Sequence, residues 1–226
     1  MLVFTVILIM ITVSGFIFFV RWKQKQDELR KRQLGRLSSR GEKMLRTFSM
    51  LSDRYFLKET KLFLIEYLLS VIQQLKQAGI NTEFIHEQYN LTKLYTEITS
   101  GKNVSDKRRV NSQVEFEQTQ STLQFLIKEL RSLLDGNSMS RVMIRHHIGL
   151  VRFSYSLAYR DHLVGQAKQD LEHEHKSRAL EKYRLALAVM EKHSVVGLAR
   201  KEASRLQNMI LDVEDALLEK KEEHKK

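Results

Sequence analysis

The sequence predicts an all-α protein in which one N-terminal transmembrane helix precedes an α-helical bundle. Three observations lead there. Leu2 to Val20 reads LVFTVILIMITVSGFIFFV without a charge, and at 1.5 Å per residue such a run reaches about 28 Å, close to the hydrocarbon thickness of a bilayer. The 226 residues contain no proline, where an average composition would supply roughly eleven, so the residue that most often breaks helices is missing. The remainder is rich in Leu, Glu, Lys, Arg and Gln, with apolar positions recurring at spacings of three and four.

The first element expected is the anchor, residues 1–20. A cleavable signal peptide would need a basic n-region and a small-residue cleavage site, and a buried core helix is usually shorter and amphipathic; the run shows neither pattern. A basic juxtamembrane helix or linker, 21–42, follows. Arg21, Lys23, Lys25, Arg30, Lys31, Arg32 and Arg36 crowd this stretch, and Trp22 sits where an amphipathic ring suits a membrane interface. From Arg21 to Arg46 ten basic residues face only Asp27, Glu28 and Glu42, so much of the chain's net charge of +11 lies here. Lys and Arg beside a span stay cytoplasmic, which predicts an outward N-terminus and a cytoplasmic C-terminal domain at the cell inner membrane. The same cations would attract anionic lipid headgroups.

A helical subdomain is expected over 43–137. Its first helix, 43–78, carries KLFLIEYLLSVIQQL, apolar nearly all round and therefore a central core helix. Glu66 within it calls for a Lys, Arg or Tyr partner from a neighbouring helix, and Arg54 is a candidate for a buried polar pair. Gly79 reads as a left-handed cap, and Asn81 or Thr82 opens a helix over 82–99. The turn 101–106 leads to a helix opened by Ser105 or Asp106, polar at first and apolar from Leu123 to Leu134. Asp135, Gly136 and Asn137 stop it.

The third region, 138–220, starts with Ser138 or Ser140 as cap and a long amphipathic helix through Val142, His146, Leu150, Phe153, Leu157 and Leu163. The charged run 168–176 is where that helix should bend or end, with another over 177–193. From Val195, the residues Val196, Ala199, Ala203, Leu206, Ile210, Val213 and Leu217 alternate spacings of three and four, a heptad seam. Packing onto the preceding helix is preferred over an intermolecular coiled coil. Residues 221–226 form a solvated tail.

Ala179, Tyr183, Ala186 and Leu187 stand in an A-x-x-x-Y-x-x-A-L order, which resembles the second helix of a tetratricopeptide repeat. Tyr155, Leu157, Ala158 and Tyr159 look like parts of a first repeat helix, and the helix from Val195 like a cap. The family's closing proline and Trp-Leu-Gly pattern have no counterpart, and no second copy recurs at a period near 34. The resemblance implies a TPR-like helical array whose Tyr155, Tyr159, Ala179, Tyr183 and Ala186 pack or bind, and a protein-binding scaffold rather than an enzyme.

Chemistry-bearing motifs are missing. There is no cysteine, hence no thiol nucleophile, disulfide or cysteine-based zinc site. No Gly-rich phosphate loop, H-E-x-x-H or G-x-S-x-G occurs. His173 and His175 lie about 200° apart on a helix, and His146 and His147 about 100°, so neither pair faces one ion. The expectation is therefore no catalytic residue, cofactor or metal. The function expected is a single-pass membrane-anchored scaffold that binds an unknown protein partner along helices at 140–193. A self-associating structural or cytoskeletal tether, a homo-oligomer through the heptad seam, is the alternative. Nucleic-acid binding through Lys107, Arg108 and Arg109 ranks last.

Overall fold

A chain without proline stays helical until a glycine or a tertiary contact stops it, and both kinds of stop occur here. The computed structural model describes the backbone of residues 2–102, 106–134 and 140–223, and side chains between 18 and 219 within that range. The elements are α1 Leu2–Met50, α2 Lys58–Gln77, α3 Glu83–His86, α4 Gln88–Thr99, α5 Gln113–Leu134, α6 Arg141–Glu172, α7 Lys176–Glu191 and α8 Gly197–Glu223. There is no strand among the described residues.

The all-α expectation holds, but the transmembrane helix does not. Residues 2–20 are not a separate element; they open the 49-residue helix α1, which runs on without interruption through the charged stretch beyond Val20. No helix among the described residues is long and apolar enough to cross a membrane. The described side chains of α1 begin at Phe18 and are mostly exposed, many of them charged, as far as Arg36. The side chains of residues 1–17, on which the anchor rested, lie outside the described ones. So do Ser105, the 135–138 stop and cap, and the tail from residue 224.

Two compact units divide the chain: Met1–Leu45 with Tyr67–Thr92, and Arg46–Glu66 with Lys93–Lys226. In the first, Met44, Leu68, Ile72, Leu75, Phe84 and Leu91 are buried. Phe84 lies so close to Gly41 that a Cβ there would come within 2.6 Å of the ring. Gly41 thus marks a close approach inside α1. Thr82 receives the Ser38 hydroxyl at 3.2 Å. Helix α2 ends as expected at Gly79, φ +68°. The Gly79 N–H donates to Lys76 O and the Ile80 N–H to Leu75 O, the paired bonds of a Schellman ending.

In the second unit α5, α6, α7 and α8 pack in sequence, each on the next. The α6–α7 turn falls within the charged run, as expected. It repeats the Schellman bonds, with Glu174 N–H to Leu171 O and His175 N–H to Asp170 O, but places Glu174 rather than glycine at φ +59°. On α8 the seam residues Ala199, Leu206, Ile210 and Val213 are buried, and the helix lies on α7.

Three boundaries differ from expectation, and one cause explains two of them. The helix expected over 43–78 is interrupted between Met50 and Lys58, and the one expected from Ser105 or Asp106 begins only at Gln113. The two interruptions bind each other. The Asp53 N–H donates to Asp106 O at 2.7 Å and the Ser52 hydroxyl to Arg108 O at 2.9 Å. The Asp106 N–H returns a bond to the Asp53 carboxylate at 3.0 Å, and the Val110 N–H one to the Tyr55 hydroxyl at 3.0 Å. Backbone groups freed by leaving the helix are thus satisfied by a segment more than fifty residues away. Ser112 then opens α5, its hydroxyl accepting the Glu115 N–H at 3.1 Å. The third difference is local: 82–99 divides at Glu87 into α3 and α4.

Candidate functional site

Arg160 and Asp161 stand on α6 between Leu157 and Val164, inside a buried stripe that is mostly apolar. Both are fully buried, as is Glu202 on α8, so their charges must neutralise one another. The Asp161 carboxylate accepts Arg54 through Nε and, at 2.9 Å, through Nη2; it also accepts the Tyr55 hydroxyl at 2.8 Å and Arg160 Nη1 at 2.6 Å. Arg160 Nη2 lies 2.8 Å from Glu202 Oε2, close enough for an ion pair but without the alignment of a hydrogen bond, and Arg160 Nε has no hydrogen-bond partner among the described residues. Arg205 reaches Glu202 from the surface at 2.9 Å.

The environment sets the charge states. Burial pushes the Asp161 carboxyl up, but the hydrogen bonds and charges of Arg54 and Arg160 outweigh it and hold it below the usual carboxylate range. Burial and the adjacent Asp161 charge raise the Tyr55 hydroxyl well above its ordinary value, so it stays protonated and donates. The cluster ties the 51–57 interruption to α6 and α8. Its charged groups are engaged with one another, which makes it a structural knot across three segments of the unit.

Above this knot α5, α6 and the α7–α8 turn form a groove of about 580 Å³. Ile127 and Tyr155 supply apolar surface, Ser156 and His193 share a hydrogen bond of 2.8 Å, and Lys128, Arg131 and Arg152 stand at the edge. Burial lowers the His193 pKa, so the ring is neutral at pH 7. Among the described residues none of the three cations forms an ion pair. An apolar concavity with a few convergent polar groups is the usual form of a binding site.

The residues singled out in the sequence fall into three groups. Tyr155 lines the groove and accepts Gln124 Nε2 at 3.4 Å. Tyr159 stacks on Phe116, centroids 6.0 Å apart, while Ala179, Tyr183 and Ala186 are buried in the α6–α7–α8 packing. Arg21, Trp22, Lys23, Lys25, Arg30, Lys31, Arg32 and Arg36 are all exposed on α1. At 100° per residue they surround the helix rather than form one stripe. Glu66 does meet a tyrosine, Tyr95, at 2.9 Å, but in an exposed position. Arg54 finds Asp161 instead. No group of three potential metal ligands comes together among the described residues.

Sequence reasoning missed Asp161, Glu202 and the three groove cations. Charged residues at 160 and 161 within an apolar stripe, and at 202 between Ala199 and Leu206, were the available signal for the knot. Nothing local marks Lys128, Arg131 and Arg152 as neighbours, since they come from two helices. No protein-family model matches the chain, and neither a curated protein nor a solved structure is similar to it.

Proposed function

We propose that the chain is a helical scaffold that docks a protein segment in the groove between α5 and α6. The single observation that carries this reading is an apolar concavity edged by three cations that have no carboxylate partner among the described residues. One wall, α6, carries Arg160 and Asp161 of the buried charge knot and packs on α7, where Ala179 and Ala186 are the buried small residues that motivate the tetratricopeptide-like comparison. A rigid concave face loses little entropy on binding, which favours recognition of a flexible segment. No residue is given a catalytic role.

The exposed cations of α1 support an additional contact with anionic headgroups, each well-placed Lys or Arg contributing on the order of 1 kcal/mol. Such a contact would bring the groove to a membrane surface and raise its effective concentration for partners there. Co-sedimentation of the full chain with anionic but not neutral vesicles, lost at high salt, is the expected result.

The groove is tested by a photo-crosslinking amino acid in place of Tyr155 in the full chain, irradiated in cells. A discrete protein adduct that disappears with Arg152→Glu is expected. Absence of any adduct, at a position that lines the groove, would overturn the reading.

A further inference from the structure

Helix α8 presents a surface that complements the groove. Leu211 and Leu218 are 56 % and 59 % exposed, and Asp212, Asp215 and Glu219 are exposed beside them. At 100° per residue these five side chains span about 120° of one helix face, with both leucines at one edge. The opposite face of the same segment, through Val213, is buried in the second unit. Glu214 is used elsewhere, by Arg184. None of Asp212, Asp215 and Glu219 makes an ion pair among the described residues. Among the described residues, one surface is thus apolar with three unpaired cations, and the other is apolar with three unpaired carboxylates.

We infer that the occupant of the groove is the Leu211–Glu219 face of α8 from a second copy of this chain. The inference rests on the groove being a docking site and names its partner. The same copy cannot supply the helix. The α7–α8 turn places His193 at the groove, and α8 then rises away from it, so Asp215 lies about 27 Å further along a continuous helix from Gly197. Reaching back would require unwinding α8. Groove and acidic face are different surfaces, so the contact is heterologous, head to tail, and each added copy leaves one groove and one acidic face open. Repeated head to tail, the contact builds a filament or closes into a ring, the smallest of which is a pair in which each copy's α8 enters the other's groove.

Opposed charge sets give the contact two readable properties. It weakens with ionic strength, because the charges sit at a solvent-exposed edge. It also responds to charge reversal in a way that no shared apolar stickiness can mimic. Two full-length variants carry the test: Lys128→Glu with Arg152→Glu, and Asp212→Lys with Asp215→Lys. All four side chains are exposed, so helicity by circular dichroism is expected to be unchanged. In sedimentation velocity the unaltered chain should show mass rising with concentration. Each variant alone should need at least about tenfold more protein to associate, since its two surfaces now repel. Mixed in equal amounts the variants should associate again, because both contacts in the mixture pair opposite charges.

The inference is overturned if the unaltered chain keeps one mass at all concentrations, if either variant associates as it does, or if the mixture stays apart. The in-cell crosslink at position 155 separates this from the wider reading. An adduct with a different protein and none with the chain itself removes self-docking but keeps the groove as a docking site; no adduct removes both.

Discussion

Replacing Asp161 by asparagine keeps the shape of the side chain and deletes the one charge on which Arg54, Tyr55 and Arg160 converge. Its two oxygens take four hydrogen bonds, three of them from guanidinium groups. Arg160 is 0 % exposed and its Nε already lacks a hydrogen-bond partner among the described residues, so water cannot replace what is lost. Without the carboxylate two arginines are left with only Glu202, and one buried positive charge is uncompensated. Breaking a buried pair from one side costs about 3–5 kcal/mol. For a chain of this length that amounts to a fall in Tm of roughly 10–15 °C. Arg205→Ala is the control: its side chain is 60 % exposed, and its loss should cost below about 1 kcal/mol. Circular dichroism through a urea titration measures both. The folded-state carboxyl is depressed below its ordinary value of 3.8, so its contribution is complete above that pH and is lost as pH falls through the folded value. A cost for Asp161→Asn below about 1 kcal/mol would show that the knot is solvated or replaceable, and would refute the reasoning.

Other expectations follow from single sites. His147 is buried, stacked on Phe63 with centroids 4.1 Å apart, and its pKa is lowered to about 4, chiefly by burial, from 6.5. The unfolded chain therefore binds more protons between those values, so stability is full above pH 6.5 and falls by on the order of 2 kcal/mol toward pH 4; His147→Phe should flatten that window in pH-dependent melting. Glu174→Gly should raise stability by about 0.5–1 kcal/mol in urea unfolding, because φ +59° suits glycine at this cap. Gly35→Ala, with open space around its Cβ, should stabilise α1 by about 0.5–1 kcal/mol. Gly41→Ala must displace the buried Phe84 ring, and should destabilise by about 1 kcal/mol after the helix gain is set against overpacking.

Helix identity was legible where periodicity and caps agreed. The long amphipathic helix, its end in the charged run, and Gly79 as a left-handed cap all follow from local pattern, and α6, α7 and the α2 ending bear them out. What local pattern could not reveal was any stop made by distant residues. The stretch 51–57 has neither glycine nor proline; it leaves the helix because Asp53 and Tyr55 are held by 106–110, and because Arg54 and Tyr55 reach Asp161. Helix propensity lost to tertiary hydrogen bonding there, as weak priors do. The apolar run at the N-terminus was read as a unit by its composition, whereas its backbone belongs to one helix that continues far into charged sequence. In the candidate site, Tyr155 was readable as an aromatic on an amphipathic helix. The cations around it were not, because neighbours on different helices share no spacing.

The most direct test of groove docking exploits the absence of cysteine. A single cysteine placed at Tyr155 in the full chain can be labelled with a maleimide in intact cells and again after purification at low concentration and high salt, with Leu185→Cys on the exposed face of α7 as reference. The account predicts that position 155 is labelled several-fold more slowly in cells than in dilute solution, while position 185 reacts alike in both. Equal labelling of position 155 under the two conditions would contradict it.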